Sequence, residues 1–288
     1  VDGAIAGQTI TVDNAGGWSG YNSSAVNGGR FFTPNMYIQA RDSSGTVHDA
    51  GLKVSVVAKG AYPSTSAILT VVGTCSSVAD GDYLYTSATA TASTDSYGHE
   101  MPGLKLLIDD NTVAATVQSI SATTYPEWRS QIGYGATVGT AEALTTLRMM
   151  NLMSDIHMDG GGKVDWIITS PAVWNTYGHL ADQGNQIMNA KVYDTAWPTL
   201  EFQGVEIWQD MYAPDEMFFI DNRSLAIYQA GEQGWIEDSK GGVITQVKGA
   251  SAAYDQFEAY WKWYVTLGVN NRAFCGKLTD ITVAVNKY

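Results

Sequence analysis

The side chains best suited to metal or redox chemistry are two cysteines and four histidines, and their spacing matches no type of site. Cys75 and Cys275 lie far apart and have no CxxC or Cys/His neighbour, so neither a zinc site nor a disulfide framework is indicated. We expect two buried thiols. The histidines are scattered without metal-ligand spacing at His48, His99, His157 and His179. We therefore predict no metal site.

Motifs for nucleophilic catalysis and nucleotide binding are incomplete. Residues 17–20, Gly-Trp-Ser-Gly, fail the Gly-x-Ser-x-Gly spacing of a nucleophile elbow. Residues 133–139 resemble a dinucleotide fingerprint only loosely, because the third glycine is one residue late and no strand is predicted before it. The 29 acidic residues provide some carboxylate pair in any fold, but nothing selects one. We predict no catalytic residue and no cofactor-binding residue.

The composition is that of a globular protein. The 288 residues are 45% apolar, which allows one large or two ordinary domains with a sizeable core. A formal charge of −13 argues against a surface whose main role is to grip nucleic acid phosphates. No run approaches the roughly 18 apolar residues of a membrane span, and no membrane partner is predicted. Because the chain begins at Val1 rather than Met, we expect a processed, truncated or partial product.

The first hundred residues carry the pattern of an all-β unit. Short alternating runs, rich in Gly, Ser, Thr, Ala and Val, recur between turn signals. The predicted strands are Gln8–Val12, Met36–Arg41, Leu52–Lys59, Ala67–Val72 and Asp82–Tyr85. About five short strands predict a small barrel or sandwich. The nearly low-complexity stretch Thr86–Ser96 is predicted to be either a mobile link to the remainder of the chain or a long surface loop.

One long helix is predicted over Ala141–Met158 after an irregular loop at 123–139, with Thr140 as its N-cap. The predicted apolar stripe has Leu144, Leu147, Met150 and Met153 on one side, with Met149, Leu152 and Ile156 beside them. Arg148, Asn151 and Asp155 are predicted to face away. The glycines at 160–162 would end the helix.

A strand, a helix and further strands come next. Val164–Thr169 predicts a short buried strand, and Ser170 with Pro171 predicts the start of a helix as cap and first residue. The stretch Glu201–Gln229 then alternates like paired strands, with a turn at Asp210 to Asp215. Residues 231–288 return to strand-like runs. The whole pattern predicts an α+β fold.

The order of these pieces resembles the major capsid proteins of tailed bacteriophages, which share the Hong Kong 97-like fold with encapsulin shells. The resemblance rests on a Gly-Leu opening at 102–108, a loop with Trp128, the long helix, the VDWIITSP unit, and the run FQGVEIWQDMYAPDEMFFIDNRSLAIYQ. LGVNNRAFCGKLTDI is found near the end. The similarity covers about residues 101–288.

The resemblance implies a domain architecture. A β-rich inserted subdomain would span 1–100, and a peripheral domain with the spine helix at 141–158 would span 101–162. An axial domain would span 163–230, and residues 231–288 would return to the peripheral domain, their last strand assigned to either domain. The N-terminal arm and extended loop that wrap neighbouring subunits in that family would precede the insertion, and no segment matches them. Lys105, Lys163 and Lys240 match no crosslinking motif, so no crosslink is predicted.

The implied function is that of a structural subunit rather than an enzyme. Copies of the chain would self-assemble into hexamers and pentamers of an icosahedral capsid around double-stranded DNA. That DNA would be a partner by proximity only. Decoration, scaffolding and portal proteins are further candidate partners, and the location would be the virion, assembled in the bacterial cytoplasm. Candidate subunit-contact residues, each with an equal chance of lying in the core, are Trp197, Trp208, Trp261 and Trp263.

Two alternatives stay open at this point. A carbohydrate-binding or adhesive β-module of a phage or bacterial surface is suggested by aromatic rings in the Gly/Ser/Thr-rich region, at Trp18, Tyr21, Tyr37 and Tyr62. A hydrolase with an unrecognised carboxylate pair is the third hypothesis. The size of the native assembly separates the first hypothesis from the other two.

Overall fold

The fold is mixed α+β, with many strands and few helices. The computed structural model describes residues 1, 5–12, 32–59, 67–73, 75–87, 95–113, 116–183, 200–210, 213–237, 242–246 and 257–283. The boundaries 1–100, 101–162, 163–230 and 231–288 stay a prediction.

The N-terminal region forms one antiparallel sheet. Its strands are β1 (Ile5–Ala6), β2 (Thr9–Val12), β3 (Tyr37–Arg41), β4 (Val47–Lys59), β5 (Ala67–Val72) and β6 (Tyr83–Ser87). Their order is β1-β2-β5-β4-β3-β6. The five predicted strands are confirmed to within a few residues, except that β4 starts at Val47, ahead of the predicted Leu52. The expected barrel or sandwich is wrong for the described strands, which form a single sheet.

This sheet buries alternate residues on one face. Ile10, Ile38, Val54 and Leu69 are fully buried there in one hydrophobic cluster. Alternation with a period of two places these residues on a common face, and this is why the strands are readable from the sequence. The sheet's boundary is reinforced by an ion pair between Arg41 and Asp95, whose side chains are only 13% and 5% exposed.

The middle of the chain holds the helices. Its elements are α1 (Leu104–Leu107), β7 (Thr116–Val117), β8 (Ile120–Ser121), β9 (Gln131–Gly133), β10 (Glu142–Ala143), α2 (Thr146–Asp155), β11 (Trp166–Thr169) and α3 (Pro171–Gln183). The last residues of α2 run into a π-helical turn, Ile156–Gly160, and a 3-10 turn lies at Pro126–Trp128.

Among the residues described from 200 onwards, the regular elements are strands and one 3-10 turn at Arg272–Phe274. Its strands are β12 (Leu200–Phe202), β13 (Val205–Gln209), β14 (Met217–Ile220), β15 (Leu225–Gln229), β16 (Gly234–Trp235), β17 (Thr245–Gln246), β18 (Phe257–Glu258), β19 (Trp261–Lys262), β20 (Val265–Val269), β21 (Gly276–Leu278) and β22 (Ile281–Thr282).

The central sheet has six strands in the order β12-β13-β11-β14-β21-β9. β11 lies parallel to β13 and antiparallel to β14. The connection 210–215 therefore joins two strands that do not pair, because β11 lies between them. The prediction of β13 and β14 as paired strands around a turn is wrong on this point. The pairing partner of β13 in that stretch is β12, across a tight turn with positive φ at Gln203 and Gly204.

β14 is the centre of the core. All four of its residues are buried, two on each face of the sheet. Met217 and Phe219 join the cluster formed with α2 and α3 on one face. Phe218 and Ile220 join a second cluster with Ile108 on the other face. Buried on both faces, the strand reads as a continuous apolar run rather than an alternating one.

The long helix is shorter than predicted and rotated. It starts at Thr146, and its cap is Thr145, whose Oγ1 accepts from the Arg148 N–H at 3.2 Å, rather than Thr140. Residues 142–143 pair instead with β22. The predicted end is confirmed, since Gly161 adopts a left-handed conformation with φ of 72°.

Arg148 explains the rotation of the helix. The apolar periodicity predicts that it faces away, but its guanidinium donates at 3.1 Å to four backbone carbonyls, those of Tyr134, Glu142, Ala143 and Thr279. Turning Arg148 inward exposes Leu147 and Met150, two members of the predicted apolar stripe. Four carbonyl acceptors compensate the desolvation of the guanidinium, which the apolar periodicity cannot anticipate.

Replacement of Phe219 by Ala tests the central position of β14. Because this ring is fully buried between α2, α3 and the sheet, we expect Phe219→Ala to lower the free energy of unfolding by about 3–5 kcal/mol. Urea unfolding of the unassembled chain measures the loss. The control is Trp208→Ala, which truncates a half-exposed ring on β13 and should change stability by at most about 0.5 kcal/mol. Equal losses of unfolding free energy in Phe219→Ala and Trp208→Ala would contradict the central position of β14 in the core.

Candidate subunit-contact surface

The strands β15 to β20 form a two-stranded ribbon, which we call the arm and which comprises the described residues 225–237, 242–246 and 257–269. β15 pairs with β20, β16 with β19 and β17 with β18, all antiparallel. Backbone bonds from Ala230 N–H to the Tyr264 carbonyl (3.0 Å) and from Ile236 N–H to the Tyr260 carbonyl (2.8 Å) extend the ladder between these pairs. The described parts of the arm therefore pair as an antiparallel ladder, with more residues between the pairs on the outgoing strand than on the returning one.

The arm displays apolar side chains along its length. Between 226 and 267, no described side chain is buried. Ten large apolar side chains there are at least 44% exposed: Ile227, Tyr228, Trp235, Ile236, Ile244, Phe257, Tyr260, Trp261, Trp263 and Tyr264. Exposed apolar surface this extensive marks a contact site in globular proteins.

The rings are partly ordered against each other. Trp235 and Trp261 are cross-strand partners, and their rings meet edge to face with centroids 5.1 Å apart. Such a pair adds stability beyond the buried area of its rings. Trp263 and Tyr264 follow Lys262 in the returning half of the arm, at 50% and 66% exposure. The arm thus presents a preformed aromatic surface.

Asp221 holds the root of the arm to the central sheet. This carboxylate is fully buried at the end of β14 and accepts from the Lys163 N–H (2.9 Å) and the Arg223 N–H (2.9 Å). It also accepts from Nε and Nη2 of Arg223, at 3.0 and 2.6 Å. The Arg223 side-chain bonds, with the two backbone N–H groups, lower the pKa of Asp221 to about 2. The segment before β11 is thereby tied to the start of β15.

A second set of bonds joins the two strands at the root. The Ser224 hydroxyl donates to the Asn271 carbonyl (2.5 Å), and the Asn270 N–H donates to the Ser224 carbonyl (2.6 Å). The Tyr228 hydroxyl donates to Oδ1 of Asn270 at 2.5 Å. Near the root, Val269 is buried against Leu107 in the body of the protein. The arm consequently leaves the body in a defined direction.

A second apolar surface lies on the central sheet, on the face away from α2 and α3. Ile168 and Trp208 are cross-strand neighbours on this face, and Trp166 lies two residues from Ile168 on β11. Trp166 and Trp208 are 50% and 57% exposed. Beside them is a groove of about 440 Å³, lined by residues 103–106, Val113, Ile168, Asp210, Ala213, Pro214 and Phe218. We call this surface the sheet groove.

Buried charges fix one wall of the sheet groove. Lys105, in α1, pairs with Glu216 at 3.0 Å. Lys277 of β21 lies 3.8 Å from Glu216 and 3.5 Å from Asp109, and all three of these side chains are at most 8% exposed. Arg272 donates from Nε to the Leu107 carbonyl at 2.7 Å. These contacts hold α1 against the sheet, so the acidic groups there are engaged with cations inside the fold.

Of the four predicted contact residues, the structure describes three and locates them on two surfaces. Trp208 is on the sheet groove, and Trp261 and Trp263 are on the arm. Trp197 lies outside the described residues. Sequence reasoning missed Trp235, Phe257, Tyr260 and Tyr264, although the available signal was the density of aromatic residues among strands with few charges.

The other residues considered in the sequence are dispersed. His48 contacts Asp82 at 2.8 Å, which raises its pKa, and Cys75 and Cys275 are both buried as free thiols. Among the described residues, no three His, Cys, Asp or Glu side chains are placed to hold a metal ion. Tyr37 is half-buried, and Trp18, Tyr21 and Tyr62 lie outside the described residues. Within the described part of the chain, no helix is long and apolar enough to span a membrane.

Comparison with known proteins gives partial structural similarities. No family model and no curated protein matches the sequence. The capsid asymmetric unit of cyanophage A-1(L) is similar with a TM-score of 0.42 and 21% identity, over 59% of this chain and 55% of that chain. The holo-SrpI encapsulin complex from Synechococcus elongatus PCC 7942 is similar with a TM-score of 0.33 and 10% identity, over 55% and 56%. The chain spans a little over half the length of these solved chains, and TM-scores below 0.5 decide neither fold nor function.

Replacement of Asp221 tests the root of the arm. Asp221→Ala removes a buried acceptor of four N–H bonds, so we expect a loss of about 3 kcal/mol in the free energy of unfolding. The folded pKa of about 2 lies below the usual 3.8, so the ionised carboxylate stabilises the fold above about pH 4, and this stabilisation is lost as the pH falls towards 2.

The matched control is Asp221→Asn, which keeps the shape but cannot ionise. Urea unfolding at several pH values should show a smaller loss than in Asp221→Ala and a flatter pH dependence between pH 4 and 2 than in the unmodified chain. An unchanged pH dependence in Asp221→Asn would show that the carboxylate does not have this role.

Proposed function

We propose that the chain is a shell-forming structural subunit, the major capsid protein of an icosahedral viral head that encloses double-stranded DNA. The observation that carries the proposal is the arm, a rooted two-stranded ribbon with ten exposed large apolar side chains. In this proposal α2 belongs to a peripheral domain, β11 to β14 belong to an axial domain, and residues 1–100 form an inserted β-rich subdomain. Hexamers and pentamers of the chain build the shell.

The physics of the ribbon supports self-association. An isolated two-stranded hairpin is at best marginally stable in water, because neither of its faces is covered. Beyond its root, the arm has a ladder of backbone bonds but no buried side chain among those described. Contact with a further layer would bury the exposed rings at about 25 cal/mol for each Å² of apolar surface. A neighbouring copy can supply that layer, and in a closed shell the same contact recurs between every pair of neighbours.

The rest of the body suits a building block. β14 and the ion pairs around Lys277 make a rigid central unit, and the arm and the sheet groove are two different apolar surfaces on that unit. A contact between two different surfaces is head to tail, and it closes into a ring where the rotation from one copy to the next divides a full turn. Rings of five and six copies are the units that a capsid needs.

The charge balance suits enclosure of DNA rather than binding to it. With 29 acidic and 16 basic residues, the chain has a formal charge of −13 and repels phosphates on average. In this proposal packaged DNA is retained by confinement. Decoration, scaffolding and portal proteins are the further partners, and the location is the virion, assembled in the host bacterial cytoplasm.

The size of the native assembly tests the function directly. A single chain has a mass of 31.0 kDa. We expect light scattering and electron microscopy of the purified protein to show closed particles of many copies, with the monomer as a minor species. A protein that stays monomeric under all assembly conditions would refute the proposal.

Truncation of the arm's rings tests the observation that carries it. We expect the double change Trp263→Ala and Tyr264→Ala to abolish particles, because it removes two half-exposed rings from the contact surface. Thermal unfolding of the monomer should be nearly unchanged, since neither ring is buried. The matched control is Tyr125→Ala, a similarly exposed ring off the arm, which should leave particle yield unaltered. Equal particle yields from the arm variant and the control would contradict a role for the arm.

A further inference from the structure

The border of the central sheet at β12 carries two glutamates beside the exposed tryptophans. These four residues are Glu201 of β12, Glu206 and Trp208 of β13, and Trp166 of β11, and we call them the edge patch. We propose that the edge patch binds a segment rich in Arg and Lys that belongs to a different protein. This inference goes beyond the proposed function and does not rest on it, because an unassembled chain presents the same four side chains.

The side chains of the edge patch lie on one face of the sheet. The buried residues of β12 and β13 belong to the cluster with α2 and α3. Glu201, Glu206 and Trp208 alternate with those residues and are exposed on the opposite face. Ile168 of β11 is the register partner of Trp208, and continuation of this parallel register places Trp166 beside Glu206. The edge patch is therefore one contiguous surface.

The two glutamates of the edge patch repel each other. Glu201 and Glu206 are direct partners in the antiparallel pair of β12 and β13. The Cβ atoms of such partners are roughly 4.5–5.5 Å apart, and like charges directly opposite each other are destabilising. Neither carboxylate forms an ion pair with a cation of the described residues. A cationic ligand would remove this repulsion.

Cations at other borders of this sheet have carboxylate partners of their own. The pairs are Lys163 with Asp165 (3.6 Å), Arg223 with Asp221 (2.6 Å) and Lys105 with Glu216 (3.0 Å). Within the described part of the chain, the negative charges of Glu201 and Glu206 are thus not compensated. A second copy of the chain carries a formal charge of −13 and is repelled on average. A basic segment of a different protein is the complementary partner.

The tryptophans favour arginine and lysine side chains over a free metal ion. Trp166 and Trp208 are 50% and 57% exposed. Trp166 is on the strand next to Glu206, roughly 5 Å away, and Trp208 is two residues further along β13, roughly 7 Å away. A guanidinium stacks on an indole face and pairs with a carboxylate through its planar fork. One arginine side chain can therefore contact a ring and a carboxylate of the edge patch together.

A neutral oligosaccharide is the other ligand class that stacks on exposed tryptophans. Its hydroxyl groups can donate hydrogen bonds to carboxylates. It carries no charge, however, and so it cannot offset the repulsion between Glu201 and Glu206. The charge of the edge patch consequently favours the basic segment.

Titration of the full chain with hexa-arginine tests the inference. Isothermal titration calorimetry in low-salt buffer measures the affinity, since salt screens exposed charges. The first variant is the double change Glu201→Gln and Glu206→Gln. Its matched control is Glu232→Gln with Glu237→Gln, which removes the same charge from two exposed positions on the arm. The second variant, Trp208→Ala, keeps every charge, and thermal unfolding checks that all variants are folded.

We expect the unmodified chain and the arm control to bind hexa-arginine about tenfold more tightly than the Glu201 and Glu206 double variant. Trp208→Ala should weaken binding by about threefold, through loss of ring stacking. Equal affinities of the double variant and the arm control would show that only net charge attracts the peptide, and would overturn the inference. An unchanged affinity in Trp208→Ala would overturn the role of the rings.

Three further results would also overturn the inference. The first is tighter binding of the neutral oligosaccharide cellohexaose than of hexa-arginine, which would assign the edge patch to glycans. The second is loss of self-assembly in the Glu201 and Glu206 double variant, which would assign it to a second copy of the chain. The third is an unmodified chain that forms particles but does not bind hexa-arginine, which would leave the proposed function intact.

Discussion

Burial of β14 on both faces is the constraint on which the rest of the molecule depends. Met217 and Phe219 hold α2 and α3 on one side, and Phe218 and Ile220 hold the segment around α1 on the other. Asp221 directly follows the strand. Its carboxylate accepts hydrogen bonds from the Lys163 N–H and the Arg223 guanidinium, and these bonds anchor the start of the arm. A single four-residue strand therefore connects the core, the wall of the sheet groove and the root of the arm.

Side chains are buried to very different extents in the centre of the molecule and in the arm. In its centre even the charged side chains of Asp109, Glu216 and Lys277 are buried, and they lie together as ion pairs. Its arm keeps a ladder of backbone bonds but leaves its rings in water. In a monomer this difference predicts a rigid centre and an arm that opens at low free energy, because local stability follows the number of buried apolar contacts. Association of copies would remove the difference, and this is the physical link between the fold and a shell-forming role.

Sequence patterns predict strands and helix starts reliably where buried residues recur at a constant spacing. The sequence predicts the strands of the first sheet and the helix start at Ser170 and Pro171 to within a few residues, because alternation and cap chemistry act over short distances. It mispredicts the helix α2, because Arg148 binds carbonyls from three separate segments, and no periodicity reveals such partners. It mispredicts the partner of β13 for the same reason, since β11 enters between β13 and β14 from earlier in the chain.

By itself the sequence determined most element types, the acidic balance, the lack of any complete motif for catalysis, and the positions of nine Trp, sixteen Tyr and seven Phe residues. Only the tertiary structure decided which of those residues are exposed. Phe218 and Phe219 stand in an apolar run and are buried, whereas Trp261 and Trp263 stand in a similar run and are half exposed. The difference arises because α2 and α3 cover one face of β14 and the segment around α1 covers the other, whereas no described layer covers the faces of β19. Burial depends on what the rest of the chain brings next to a strand, and a residue's own neighbours in sequence do not contain that information.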